Sequence, residues 1–209
     1  MRAARLHADR RCALNLNPLE AFLTSTLLVA VAEIGDKTQL LSFVLAARLR
    51  QPWAIIAGIL VATIANHALA GSVGAWLAQL AGPGVMQWVT GLLFIGFGLW
   101  ALHPDALDDD PKIHRAGAFM TALIAFFLAE MGDKTQLATI ALGARFDSLV
   151  AVVTGTTLGM MIANVPAVMI GEKLAKNLPL QAIRYCAAGL FLLTGALTLL
   201  GWPAALAGR

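Results

Sequence analysis

Six ionisable side chains stand in the middle of apolar sequence, and they come as two copies of one motif. Glu33-Ile34-Gly35-Asp36-Lys37-Thr38-Gln39-Leu40 recurs as Glu130-Met131-Gly132-Asp133-Lys134-Thr135-Gln136-Leu137, at an offset of 97 residues. An Asp, Glu or Lys at the centre of a membrane helix costs about 2.5–3.5 kcal/mol, so six cost roughly 15–20 kcal/mol. That exceeds the roughly 5–15 kcal/mol of net stability of a typical domain. Such groups must be partnered, and a chain that bears the cost twice uses them. Along an unbroken helix Glu33 and Asp36 lie three positions apart and Glu33 and Lys37 four, which predicts two acids on one face and a lysine that reaches the glutamate. If the two copies meet, four carboxylates and two ammonium groups leave a formal charge of minus two. One divalent cation or two protons would neutralise it, and the chemistry implied is the exchange of one for the other.

Carboxylate, hydroxyl and amide oxygens suit hard ions such as Mg2+, Ca2+ and Mn2+. The expected metal ligands are Glu33, Asp36, Glu130 and Asp133, with neutral oxygens from Thr38, Thr135, Gln39 and Gln136. Lys37 and Lys134 are expected in support, orienting and charge-balancing the acid beside them. Asn66 and Asn164, both mid-span, are expected either as second contributors to the ion or as helix-packing contacts, and His67 as a hydrogen-bonded interior residue rather than a proton carrier. Cys12 and Cys186 have neither metal-ligand spacing nor a disulfide framework. A single copy of the motif would be explained by a structural Glu–Lys pair in a protein interior; recurrence at equal depth favours a working site. No resident cofactor is expected.

The elements that must carry these residues are membrane helices. Of 209 residues 59% are apolar and 13% charged, against roughly 25% charged in ordinary soluble domains, and the mean hydropathy is +0.76. Apolar runs predict six helices at 19–47, 53–80, 85–102, 116–144, 148–171 and 181–201. The predicted breaks are Arg48–Pro52, Gly82-Pro83-Gly84, the acidic stretch 103–115, Arg145-Phe146-Asp147 and Glu172–Pro179. Glu33 and Glu130 are each the fifteenth residue of a 29-residue run. Such a run, about 43 Å as a helix, exceeds the roughly 30 Å apolar core of a bilayer, which predicts a tilt, kink or break, most easily at Gly35 and Gly132.

The same offset pairs Gly58 with Gly155 and Arg48 with Arg145, so the chain reads as a duplication. The expected fold is all-α and polytopic: a basic tail (1–18), a three-helix repeat (19–102), an acidic connector (103–115), a second three-helix repeat (116–201) and a short tail (202–209). Three spans per half is an odd number, so the halves are expected to be inverted relative to each other. Arg2, Arg5, Arg10 and Arg11 favour an N-terminus on the inner side. Residues 1–32 superficially resemble a signal peptide, but Ala30-Val31-Ala32 leads straight into the charged motif, so no cleavage is expected; the basic tail is read as a cytoplasmic or lipid-facing end, with no nucleic-acid partner. The acidic connector is read as solvated, with cation attraction to a pore mouth as the alternative.

The doubled Glu-x-Gly-Asp-Lys-Thr motif resembles the signature of the transmembrane protein 165 family, and the resemblance runs from Leu19 to Trp202 with no motif position departing. The resemblance implies six spans in two inverted halves and antiport of a divalent cation against protons. Its eukaryotic members supply manganese and calcium to the Golgi, and its bacterial members export manganese. It implies functional roles for Glu33, Asp36, Lys37, Thr38, Glu130, Asp133, Lys134 and Thr135. The resulting expectation is a multi-pass transporter of a bacterial inner membrane, not an enzyme, exporting Mn2+ and secondarily Ca2+ in exchange for H+, with self-association left open. The alternative is an intramembrane lipid-phosphate hydrolase, which would need a cation clamp for phosphate, whereas the arginines here lie at span ends.

Overall fold

The computed structural model describes residues 2–103, 117–170 and 180–200, with backbone alone for 2–17, 82–83, 180 and 183–184. The acidic connector, the Glu172–Pro179 break and the C-terminal tail lie outside the described residues, apart from His103. Among the described residues the chain is all-helical: α1 (Arg2–Glu33), α2 (Lys37–Leu49), α3 (Pro52–Trp100), α4 (Ala118–Glu130), α5 (Lys134–Arg145), α6 (Leu149–Ile170) and α7 (Leu180–Leu199).

The two long runs that sequence periodicity treats as single helices are each broken at the motif. α1 ends at Glu33 and α2 begins at Lys37, with the two axes bent by 67°. α4 ends at Glu130 and α5 begins at Lys134. The cause is local: Gly35 and Gly132 take φ of 85° and 76°, a left-handed conformation that glycine adopts without steric cost. Each opened turn is then tied by a glutamine one turn on, since Gly35 N–H donates to Gln39 Oε1 and Gly132 N–H to Gln136 Oε1, both at 2.8 Å. Asp36 and Asp133 stand at the N-caps of the following helices, and Asp133 accepts the Thr135 N–H. The shared face computed through Glu33, Asp36 and Lys37 therefore does not exist, because no helix runs through those residues.

Two other boundaries differ from expectation. Helical backbone extends back to Arg2 with Pro18 inside the helix, ahead of the predicted start at Leu19. Gly82-Pro83-Gly84 does not end a helix, since α3 runs from Pro52 to Trp100; a proline removes one ladder donor, and neighbouring turns carry the helix across.

Pro52–Ala81 and Leu149–Ile170 are long and apolar enough to cross a membrane, and the bent pair Pro18–Glu33 and Lys37–Leu49 makes a third such segment when taken together. Gly84–Trp100, Ala118–Glu130 and Tyr185–Leu199 are shorter apolar helices. Leu19, Leu23 and Leu27 on α1, and Trp53, Leu60 and Ile64 on α3, face outward, the surface a protein dissolved in lipid presents.

The inner packing is made twice with the halves exchanged. Gly58 of α3 lies against Phe119 and Ala122 of α4, where a Cβ would fall 2.5 Å from the Phe119 carbonyl oxygen. Gly155 of α6 lies against Phe22 and Ser25 of α1, where a Cβ would fall 2.5 Å from the Phe22 carbonyl oxygen. Each partner in one contact is the 97-residue counterpart of a partner in the other. Small residues at these crossings let the backbones touch, which in an apolar solvent replaces the hydrophobic drive for helix association. Phe94 and Phe97 of α3 pack with Phe191 of α7, and share a core with Ala21, Leu28 and Ala32 of α1.

Candidate metal site

The two breaks bring their acids together. Ligand oxygens of Glu33, Glu130 and Asp133 all lie within 4.8 Å of one another, and the three residues are buried. Oxygens on opposite sides of a cation bound at about 2.3–2.6 Å would be on the order of 4.6–5.2 Å apart, so the spacing suits an ion of this kind. Two unlike charges at 4.8 Å attract, and two like charges there repel, by about 3.5 kcal/mol at an effective dielectric near 20. The cluster thus favours a cationic guest.

Each glutamate is clamped by the threonine of its own motif. Thr38 Oγ1 donates to Glu33 Oε2 at 2.5 Å, and Thr135 Oγ1 to Glu130 Oε2 at 2.9 Å. Thr135 Oγ1 also lies 3.2 Å from Asp133 Oδ2. The remaining oxygens, Oε1 of Glu33 and Oε1 of Glu130, are buried with no hydrogen-bond partner among the described residues. A buried carboxylate oxygen without a partner is costly, and this cluster holds two, one from each half.

The lysines pair across the halves. Lys37 Nζ lies 3.0 Å from Asp133 Oδ1, and Lys134 Nζ contacts Asp36 Oδ1. The expectation is that each lysine reaches the glutamate of its own motif; instead Lys37 and Lys134 each pair with the aspartate of the other half. Each Lys–Asp pair cancels its own charge, so the formal minus two falls on Glu33 and Glu130, the residues with unpartnered oxygens.

The remaining predicted residues have other partners. The oxygens of Gln39 and Gln136 hold the glycine N–H groups of the breaks, and Gln39 Nε2 donates to the Ala163 carbonyl. Asn164 accepts from Ser42 Oγ at 2.7 Å and donates to Met160, while Asn66 donates to the Phe127 carbonyl. Asn66 and Asn164 thus tie helices together around the site. Ser42 was not singled out from sequence, since an uncharged hydroxyl beside an apolar run carries no signal. His67 is buried as expected, but both ring nitrogens lack a hydrogen-bond partner among the described residues, against the expectation of a bonded interior residue. Arg145 contacts Thr198 Oγ1 and lies over the Phe146 ring.

A chain that is all-helical among the described residues, with its doubled acid motif gathered in one buried cluster, matches proteins that are transporters by class and not enzymes. The family model for the divalent cation/proton antiporter GDT1 matches residues 21–109 and 118–205, one motif in each segment, and the chain belongs to that family. A Vibrio cholerae protein described as a candidate manganese exporter is 52% identical over 171 residues, covering 81% of this chain and 86% of the relative. A GDT1-like protein of Synechocystis is 29% identical over 199 residues, covering 84% of this chain and 94% of its own. GDT1-like protein 5 of Arabidopsis thaliana is 27% identical over 221 residues, covering 87% and 96%. No solved structure matches the chain.

Proposed function

We propose that this protein exports Mn2+, with Ca2+ as a second substrate, across the bacterial inner membrane in exchange for protons. It does so as a multi-pass carrier of six spans in two inverted halves, with α3 supplying two of the spans, one on each side of Gly82-Pro83-Gly84. The observation that carries the proposal is the convergence of Glu33, Glu130 and Asp133 with one unpartnered oxygen on each glutamate. Two acidic groups, each with one oxygen left unpartnered, call for two protons or one doubly charged ion, and alternation between those loads is antiport. The exchanged Gly58 and Gly155 contacts support a two-fold relation between halves of three spans each, hence the inversion. Manganese is favoured over calcium by the description of the Vibrio relative. Oxygen ligands alone would accept either.

In this scheme Glu33 and Glu130 bind cation and protons alternately, Asp133 completes the cation site, and Thr38 and Thr135 orient the glutamates. Purified protein in liposomes should take up Mn2+ against an imposed pH gradient, with Ca2+ competing at higher concentration. Glu33→Gln and Glu130→Gln should each abolish uptake. Uptake that ignores the pH gradient, or survives in both variants, would overturn the proposal.

A further inference from the structure

The two motifs are identical in their charged residues, yet the structure does not use them equally. Asp133 stands in the cluster with Glu33 and Glu130, while Asp36 does not. Asp133 is held by Lys37, whose side chain is 25% exposed; Asp36 is held by Lys134, whose side chain is 6% exposed. The turns differ in the same sense, since Met131 and Gly132 are exposed while Ile34 and Gly35 are half-buried.

We infer that Lys37 is a tethered competitor of the transported cation: its ammonium occupies the Asp133 oxygen that a divalent ion needs in order to close the site with Glu33 and Glu130. Cation entry and departure of Lys37 are then one event. The inference rests on the function proposed above and assigns the regulation of that site.

Geometry supplies three supports. Asp133 Oδ2 is already engaged by Thr135, so Oδ1, the atom 3.0 Å from Lys37 Nζ, is the oxygen left to contest. A divalent ion placed among three carboxylates and a lysine would face the ammonium at close range, and like charges repel strongly where water is scarce. Lys37 also has room to withdraw, because a quarter of its side chain is already exposed and its long stem can move the ammonium off Asp133 Oδ1. Lys134 has no such route: freeing it would leave a buried ammonium and a buried Asp36 without each other, the costly way to break a pair. One ion pair is therefore built to open and its sequence twin to stay shut.

The test compares Mn2+ binding to the purified full chain in detergent for Lys37→Gln and Lys134→Gln, by equilibrium dialysis with radioactive manganese. Lys37→Gln should tighten binding about tenfold or more, and Lys134→Gln should not. A general loss of positive charge would tighten both alike, and a merely structural Lys37 would make Lys37→Gln bind more weakly; either result overturns the inference. On the unmodified protein, a brief pulse of acetic anhydride read by mass spectrometry should label Lys37 more when Mn2+ saturates the site, with Lys134 unchanged. Equal Lys37 labelling with and without Mn2+ would overturn it without any variant. Failure of the unmodified protein to bind Mn2+ at all would instead sink the proposed function, so the two failures are told apart.

Discussion

At the scale of residues, the site depends on who holds each carboxylate oxygen. Thr135 serves two acids at once, donating to Glu130 at 2.9 Å and lying 3.2 Å from Asp133, whereas among the described residues Thr38 serves Glu33 alone. A hydrogen bond to a charged group contributes about 1.5–3 kcal/mol, or roughly 10- to 100-fold in binding when it orients a ligand. Thr135→Val should therefore weaken Mn2+ binding by about that factor and more than Thr38→Val, while Thr135→Ser retains it; equal affinity in Thr135→Val and the parent would remove the threonine from the scheme. His67 makes the opposite case. Its buried imidazole has no partner among the described residues, and an unsatisfied buried polar group costs about 1–3 kcal/mol. Exchange for an apolar side chain of similar size should thus be neutral or stabilising. Thermal unfolding in detergent should show His67→Leu at or above the parent, and Asn66→Leu below it, since Asn66 bonds Phe127. A marked loss in His67→Leu would mean that the imidazole works through something outside the described residues.

The element that makes the site is the broken helix, and its working part is a left-handed glycine. Gly132 has open space where a Cβ would stand, so a substitution there meets no neighbour and acts through the backbone alone. An L-residue forced into that region costs roughly 1–2 kcal/mol, with Asn the most tolerant and β-branched residues the least. The damage should rank Gly132→Asn, then Gly132→Ala, then Gly132→Val, in both melting temperature and Mn2+ affinity. An affinity unaffected by Gly132→Val would show that the site does not need the turn. This element also marks the limit of what the residues disclosed. The duplicated motif and the glycines where the backbone would yield were legible, because repeats and excess helix length are one-dimensional facts. The cross-pairing of Lys37 with Asp133 was not. Face arithmetic assumes the helix continues, and a single positive φ at Gly35 or Gly132 voids it for every residue beyond. Likewise Gln39 and Gln136 look like ligands by chemistry, and only the opened turn reveals N–H groups that claim their oxygens.

For the whole molecule, the site exists only if α1 and α4 deliver Glu33 and Glu130 to the same point, and those helices are seated by the exchanged glycine contacts. At Gly58 a new Cβ would fall 2.5 Å from the Phe119 carbonyl oxygen, and at Gly155 2.5 Å from that of Phe22. Backbone oxygens cannot swing aside as side chains do, so the helices must part. Overpacking of this kind costs about 1–3 kcal/mol. Gly58→Ala would displace α4 and with it Glu130, and Gly155→Ala would displace α1 and with it Glu33. Neither touches a ligand, yet both should weaken Mn2+ binding, and by similar factors, since the two contacts are equivalent. Gly189→Ala, where nothing lies within 4 Å of the added methyl, provides the control and should bind as the parent does. Manganese titration of the three variants, alongside their melting temperatures, separates displacement from unfolding. A drop in melting temperature with unchanged affinity in both Gly58→Ala and Gly155→Ala would mean that the acids converge independently of how the halves are seated.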